Sequence, residues 1–302
     1  MSAASTPSAE WAQRSERGSL PLMRLMAWVS LRFGRAFSRV PLRIIAAYYL
    51  AFGVAARRAS RDFLRRVKAR SPTLREQYDV FFSFASTIHD RVYFLKDRFD
   101  LFDIDVQGAE VFDERGTLLM GAHLGSFEAM RASGRHLGHR RVVMAMYEGN
   151  ARRISAALAA IDPAAMTDIV ALGRADSMLE LVERLDAGAL VGVLADRTLG
   201  REPVLHVDFL GESAPFPTGP MRIAAALRRQ VVFMVGVYRG GNRYDIRFEP
   251  LADFTDVDGL TRAARERRVE EAVVAYARRL EHYARDAASN WFNFYDFWRC
   301  SP

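Results

Sequence analysis

The sequence predicts an α/β fold, a mostly parallel central sheet flanked by helices, preceded by an N-terminal amphipathic helical region. Two observations predict it. Beyond residue 100, short apolar runs of four to seven residues alternate with stretches of helical spacing, as in a parallel sheet whose strands are joined through helices. Before that point apolar residues recur three and four apart, the spacing of amphipathic helices.

Residues 1–20 are rich in Ser, Pro, Arg and Glu and lack the apolar centre of a signal peptide, so they read as a disordered lead. Residues 21–70 read as helical. Leu22, Leu25, Met26, Val29, Phe33, Phe37 and Val40 keep helical spacing, while Arg32, Arg35, Arg39 and Arg43 fall on one expected face, with Trp28, Tyr48 and Tyr49 among them. A second cationic block runs from Arg57 to Lys68, and Pro41 should kink or divide the helix. Such a cationic, aromatic-bearing helix suits a membrane interface. The alternative is a helix packed on the protein's own core with its arginines solvated. The longest uncharged apolar run here, Ile44–Ala56, has 13 residues, against the about 20 that a span needs.

Residues 74–98 continue the helical pattern. Strands are expected at 101–106, 117–122, 142–146, 168–172, 189–195, 231–237 and 245–248, and helices at 124–137, 151–161, 175–187 and 218–229. Tyr238-Arg-Gly-Gly-Asn-Arg-Tyr244 reads as the turn of a hairpin. A charged helix over 258–288 leads to Asn290–Trp298, where six of nine residues are aromatic, either a core lid or a lipid contact.

Half of the 302 residues are hydrophobic, enough for a sizeable core, and 43 Lys and Arg against 36 Asp and Glu give a net charge of +7. That surplus suits an anionic partner or a solvated surface. The single cysteine, Cys300, excludes an intramolecular disulfide and a cysteine-based zinc site. No helix-turn-helix, zinc-finger or RNA-binding signature argues for nucleic acid. Neither glycine-rich nucleotide motif is found, and no Gly-x-Ser-x-Gly elbow supplies a serine nucleophile.

Chemistry is concentrated in Gly121-Ala-His-Leu-Gly-Ser-Phe-Glu128, directly after the apolar run Thr117–Ala122. A histidine oriented by a carboxylate can take a proton from a hydroxyl. Five residues on one helix turn through about 500°, which would point the two side chains apart. His123 is therefore expected on the turn and Glu128 on the first helical turn after it, where the helix dipole favours an anion. Gly121 and Gly125 supply the turn, and Ser126 reads as a helix cap.

The His-x4-Glu pattern resembles the signature of glycerolipid and lysophospholipid acyltransferases. Together with Leu194-Ala-Asp-Arg-Thr-Leu-Gly200 and Val207-Asp-Phe-Leu-Gly-Glu-Ser-Ala-Pro-Phe-Pro-Thr-Gly-Pro220, it is similar to the bacterial lipid A lauroyl/myristoyl acyltransferases, a group that includes mycobacterial phosphatidylinositol mannoside acyltransferases. The resemblance covers the chain from about residue 78 onward. Ser126-Phe127 replaces the Asn-Trp usual in that family. The resemblance implies a glycerolipid acyltransferase-like fold over 71–302, and the cationic, aromatic pattern gives residues 21–70 as a membrane-interfacial region. The resemblance also implies His123 as general base and Glu128 as its orienting partner, with no metal and no cofactor beyond acyl-acyl carrier protein or acyl-coenzyme A as co-substrate. The acceptor would be a lipid or glycolipid hydroxyl. The partners would be acyl carrier protein and anionic membrane lipid, at the cytoplasmic face of the inner membrane, peripheral or monotopic.

Substrate-binding candidates follow from the same blocks. Asp196 and Arg197 end an apolar strand, where open sheets place site residues, and Arg197 could hold a phosphate or belong to an ordinary surface turn. Glu212 matches a glutamate that lines the active centre in the mannoside enzymes. A functional arginine of the relatives falls at Arg152 or Arg153. Phe209, Phe216, Met221 and Ile223 fit either an acyl groove or plain core, with core favoured. A non-catalytic basic module that binds anionic membrane lipid is the competing reading.

Overall fold

A computed structural model describes residues 20–112, 115–129, 140–147, 169–173, 176–198 and 202–298. Among these, seven strands form one sheet in the order β1-β9-β8-β2-β5-β3-β4. They are β1 (Asp103–Gln107), β2 (Thr117–Gly121), β3 (Val142–Tyr147), β4 (Ile169–Leu172), β5 (Leu190–Leu194), β8 (Gln230–Gly240) and β9 (Arg243–Asp253). Every neighbouring pair is parallel except β8 and β9, which form the expected hairpin through Gly241-Asn242. The mostly parallel sheet flanked by helices is thus the observed architecture.

The central strands are apolar throughout because both faces of the sheet are covered. All five residues of β2 are buried. Leu118 and Met120 enter the larger core cluster with Val273, Tyr276 and Leu280 of α7 (Arg262–Asp286), while Leu119 enters a second cluster with Phe127, Val232 and Met234. The helix expected over 175–187 is α5 (Ser177–Asp186), and that over 218–229 is α6 (Gly219–Leu227).

Two strands went unforeseen. β6 (Val204–Phe209) and β7 (Glu212–Pro217) form a separate antiparallel hairpin. Pro215 and Pro217 lie within β7, and proline cannot donate to a ladder, so the segment does not read as a strand. A two-stranded sheet tolerates them at its edges. The turn uses Leu210 and Gly211, both at positive φ.

The N-terminal region divides next to Pro41, as the sequence suggested, and also at Gly34 and Gly53, which it did not suggest. α1 (Leu20–Ser38) is interrupted at Gly34, whose φ is 82°. α2 (Val40–Phe52) carries Pro41 in its first turn, and α3 (Val54–Lys68) leaves it at 91° past Gly53. No single helix among the described residues is long and apolar enough to cross a membrane. α4 (Leu74–Leu95) starts in a capping box between Thr73 and Glu76.

The four arginines expected on one face do not stay together, because Gly34 and the break at Arg39 shift the helical phase. Arg32 and Arg43 remain exposed. Arg35 turns inward and grips buried Asp90 of α4 with two hydrogen bonds, 2.7 and 2.8 Å. Arg39 reaches the Tyr238 hydroxyl at 2.6 Å. Asp90 also accepts from Tyr244 at 2.8 Å, so one carboxylate ties α1 to α4 and β9. Burial would raise its pKa; His89, Arg35 and Tyr244 overcome that and hold it below the usual carboxylate range. α1 and α2 also expose large apolar side chains: Trp28, Phe33, Phe37, Ile44, Tyr48 and Phe52 are 50–71 % exposed.

The aromatic C-terminal segment is core. Trp291, Phe292, Tyr295 and Phe297 are each at most 6 % exposed. Phe209, Phe216 and Met221 are likewise buried core residues, and Ile223 packs against them.

Candidate active site

Sheet register builds the site. β2 and β5 are parallel neighbours with Gly121 opposite Leu194. The Ala195 N–H continues the ladder to Gly121 O at 2.9 Å. His123 and Asp196, each two residues past its strand, therefore emerge side by side at the carboxyl edge of the sheet, where open α/β sheets place their ligands.

The His123 ring meets Asp196, with Nδ1 2.8 Å from Oδ1. The other carboxylate oxygen, Oδ2, accepts the His123 backbone N–H at 3.1 Å and the indole N–H of Trp291 at 3.1 Å. Asp196 is 1 % exposed, whereas the His123 side chain is 31 % exposed. Burial works to raise the Asp196 carboxyl, but His123, Arg197 and Trp291 together hold it at about 2. Burial pushes the His123 imidazole below its usual range; Arg197 adds to this and Asp196 opposes it without reversing it. At neutral pH the aspartate is thus ionised and the imidazole neutral. Oδ1 has no proton to give, so Nδ1 donates and Nε2 keeps its lone pair.

The carboxylate set against His123 is therefore Asp196, and this corrects the expected pairing with Glu128. Glu128 does lie on the helical turn after the glycines, capped by Ser126 Oγ accepting from Ala129 N at 3.2 Å. Its carboxylate turns away to Arg91 of α4, 2.7 Å from Nε, and is buried there. Asp196, expected among the substrate-binding residues, lies against His123 and accepts from the His123 ring, the His123 backbone and Trp291.

Arg197 stays beside the pair. Its Nη2 donates to Phe292 O at 3.1 Å and its guanidinium lies over the Tyr295 ring at 5.5 Å. Glu212 is not brought to His123; at the β6–β7 turn it pairs with Arg66 at 2.6 Å and is half exposed. Arg152 and Arg153 lie outside the described residues. Among the described residues no group of three or more His, Cys, Asp or Glu could hold a metal ion.

The turn that carries His123 is fixed from two sides. Gly125, at φ +75°, gives its N–H to Asn290 O at 2.9 Å, and Ser126 N–H bonds Gly236 O at 2.8 Å. A Cβ at Gly125 would fall on the Gly236 carbonyl, so glycine is required by space as well as by backbone angle. Phe292 N–H closes on His123 O at 2.8 Å. The Asn290 side chain accepts from Tyr238 N–H at 2.8 Å and donates to Tyr238 O at 3.0 Å, locking this segment to β8. Asn290 and Trp291 were not singled out in sequence; a tryptophan and an amide inside an apolar run, each needing a partner when buried, are the signal that was there.

A neutral, carboxylate-oriented imidazole at a strand end is the equipment of an enzyme that deprotonates a hydroxyl. The model of the family described as bacterial lipid A biosynthesis acyltransferase matches residues 73–299. The protein is an acyltransferase acting on lipids. The chain belongs to the bacterial lipid A biosynthesis acyltransferase family. A solved structure to which it is similar is the 1-acyl-sn-glycerophosphate (LPA) acyltransferase PlsC of Thermotoga maritima, 17 % identical, over 86 % of this chain and 95 % of that one, with a TM-score of 0.38. No curated protein matches the chain.

Proposed function

We propose that the protein is a membrane-associated O-acyltransferase that moves a fatty acyl group from acyl-acyl carrier protein, or acyl-coenzyme A, to a hydroxyl of a lipid or glycolipid. The observation that carries this reading is the neutral His123 imidazole, bonded through Nδ1 to Asp196 and without a partner at Nε2 among the described residues. Nε2 takes the hydroxyl proton as the oxygen attacks the thioester carbonyl. The C–O bond forms, the C–S bond breaks as the tetrahedral intermediate collapses, and the imidazolium returns the proton to the leaving thiolate. Ionised Asp196 steadies the imidazolium between these two transfers. The steps balance on the two substrates and His123. Arg197 beside the pair offers a cation for a phosphate of the acceptor or of the donor's pantetheine arm.

Two surfaces support the partners. The exposed aromatic and aliphatic side chains of α1 and α2 suit the acyl boundary of a bilayer, with Arg32 and Arg43 at headgroup level, so that the protein sits on the cytoplasmic face of the inner membrane without spanning it. Exposed Arg58, Arg61 and Arg65 share one face of α3, and with the net charge of +7 they favour an acidic carrier as donor.

The test is transfer of a labelled acyl group from acyl carrier protein and from coenzyme A to extracted membrane lipids. His123→Ala is expected to lower turnover by at least about 10²-fold; near wild-type turnover in the folded variant overturns the mechanism. Vesicle flotation addresses the surface: high salt weakens binding without abolishing it, because apolar burial persists. Protein that stays off anionic vesicles at low salt overturns the membrane assignment.

A further inference from the structure

Trp291 belongs to an aromatic run, and most of its surroundings explain it as core. It is 1 % exposed and packed edge-on by Phe63, Phe297 and Phe209, with ring centroids at 4.8, 4.9 and 5.4 Å. Packing does not explain where its one polar atom goes. Of all the acceptors in the core, the indole N–H selects Asp196 Oδ2, the carboxylate that orients His123.

The consequence for the carboxylate is geometric. Oδ2 receives two donors, the Trp291 indole and the His123 backbone, both at 3.1 Å, and Oδ1 receives one, His123 Nδ1, at 2.8 Å. Two donors from different chain segments fix the carboxylate plane, so Oδ1 has a single direction in which to face. The indole cannot drift, because three aromatic rings cage it. The same segment also holds the histidine: Leu124 and Trp291 form an antiparallel bridge, flanked by Phe292 N–H to His123 O and Gly125 N–H to Asn290 O. One piece of chain thus positions both members of the pair.

We infer that Trp291 is a positioning residue for acyl transfer: its indole N–H orients Asp196 and draws off part of the aspartate's negative charge, and so sets the basicity of His123. This rests on the reading of His123 and Asp196 as the catalytic base and its partner. The sign follows from electrostatics. Without the indole N–H, more of the carboxylate's charge acts on the ring, the imidazolium is favoured, and the His123 pKa rises. The base must be neutral to work, so the acid limb of kcat/KM moves to higher pH.

The experiment measures kcat/KM against pH for the full-length protein, the Trp291→Phe variant and the Phe297→Leu variant. Phe297 touches the same aromatic cluster without bonding Asp196, so Phe297→Leu reports packing alone. Trp291→Phe is expected to raise the acid limb by about half a pH unit or more and to lower kcat with little change in KM. Phe297→Leu is expected to lower thermal stability and leave the limb in place. An unmoved limb in Trp291→Phe, or an equal shift in both variants, overturns the inference. If Trp291→Phe does not fold, 3-benzothienylalanine placed at position 291 keeps the ring shape and removes only the N–H, and the same readings apply. His123→Ala separates the two levels. Retained turnover there would overturn the base mechanism itself, whereas lost turnover together with an unmoved Trp291→Phe limb overturns only the role of Trp291.

Discussion

Replacing Asp196 with asparagine tests which carboxylate orients the base, because the structure dictates how the amide must sit. Oδ2 holds two N–H donors and Oδ1 one. An amide has only one oxygen. Left at the Oδ2 position, it keeps both hydrogen bonds and turns its NH2 toward His123; flipped, it sets NH2 against two N–H groups and loses both. With NH2 facing Nδ1, that nitrogen must accept, and the ring proton moves to Nε2. The atom that should take the hydroxyl proton is then already protonated. The corresponding aspartate-to-asparagine change in the Ser-His-Asp triad, which imposes the same wrong tautomer, costs about 10⁴ in kcat. A loss of at least about 10² is expected here. Glu128→Gln behaves differently. Its buried partner is Arg91, so it should cost about 1–3 kcal/mol of stability while leaving kcat of the folded protein within about tenfold of wild type, about 1.4 kcal/mol in barrier. Steady-state turnover at neutral pH, with thermal unfolding of each variant, separates the two. Asp196→Asn at near wild-type turnover would refute the reasoning. So would a folded Glu128→Gln that loses more kcat than Asp196→Asn, a result that would return the orienting role to Glu128.

Three further outcomes are expected. Because burial and Arg197 hold His123 below 6.5, kcat/KM should fall only as pH drops below that value, with no carboxylate limb above about pH 4 since Asp196 is held at about 2; an acid limb above 6.5 contradicts this. Asp90→Asn removes the buried charge opposite Arg35 and should cost about 3–5 kcal/mol in urea unfolding, with a loss below about 1 kcal/mol counting against the clamp. Gly125→Ala drives a Cβ into the Gly236 carbonyl at a positive φ and should displace the His123 turn, lowering both Tm and kcat; unchanged activity contradicts the turn's role.

Most of the sheet was legible in the chain because its strands are buried on both faces and read as unbroken apolar runs, Thr117–Gly121 above all. The β6–β7 hairpin was not, since Pro215 and Pro217 deny it a strand signature. In the site, His123 and the turn at Gly125 were legible from local sequence, whereas Gly121, expected in the turn, is the last residue of β2. The partner of His123 was not legible, because local spacing offers Glu128 while the true neighbour is 73 positions away. Arg35 and Arg39 misled for a related reason: their spacing describes a regular helix, and Gly34 breaks that regularity, after which Asp90 takes Arg35 and the Tyr238 hydroxyl takes Arg39.

The pairing of His123 with Asp196 is best understood as a property of the sheet. Neither residue approaches the other through its own loop; each is carried to the carboxyl edge by a strand, and β2 and β5 are adjacent and in register. Slipping one strand by a single residue would exchange its faces, sending Leu118 and Met120 out of the larger core cluster and turning the residues past the strand away from each other. The core therefore enforces the catalytic register: the buried side chains of β2, Thr117, Leu118, Leu119 and Met120, or those of β5, Leu190 and Val191, must be misplaced before the imidazole and carboxylate can part. The remaining freedom is rotation of the side chains, and the His123 backbone and Trp291 remove it at Asp196. In this fold the strands set which residues meet, and the C-terminal aromatic segment sets how they face, which is why a segment that reads as plain core bears on the chemistry.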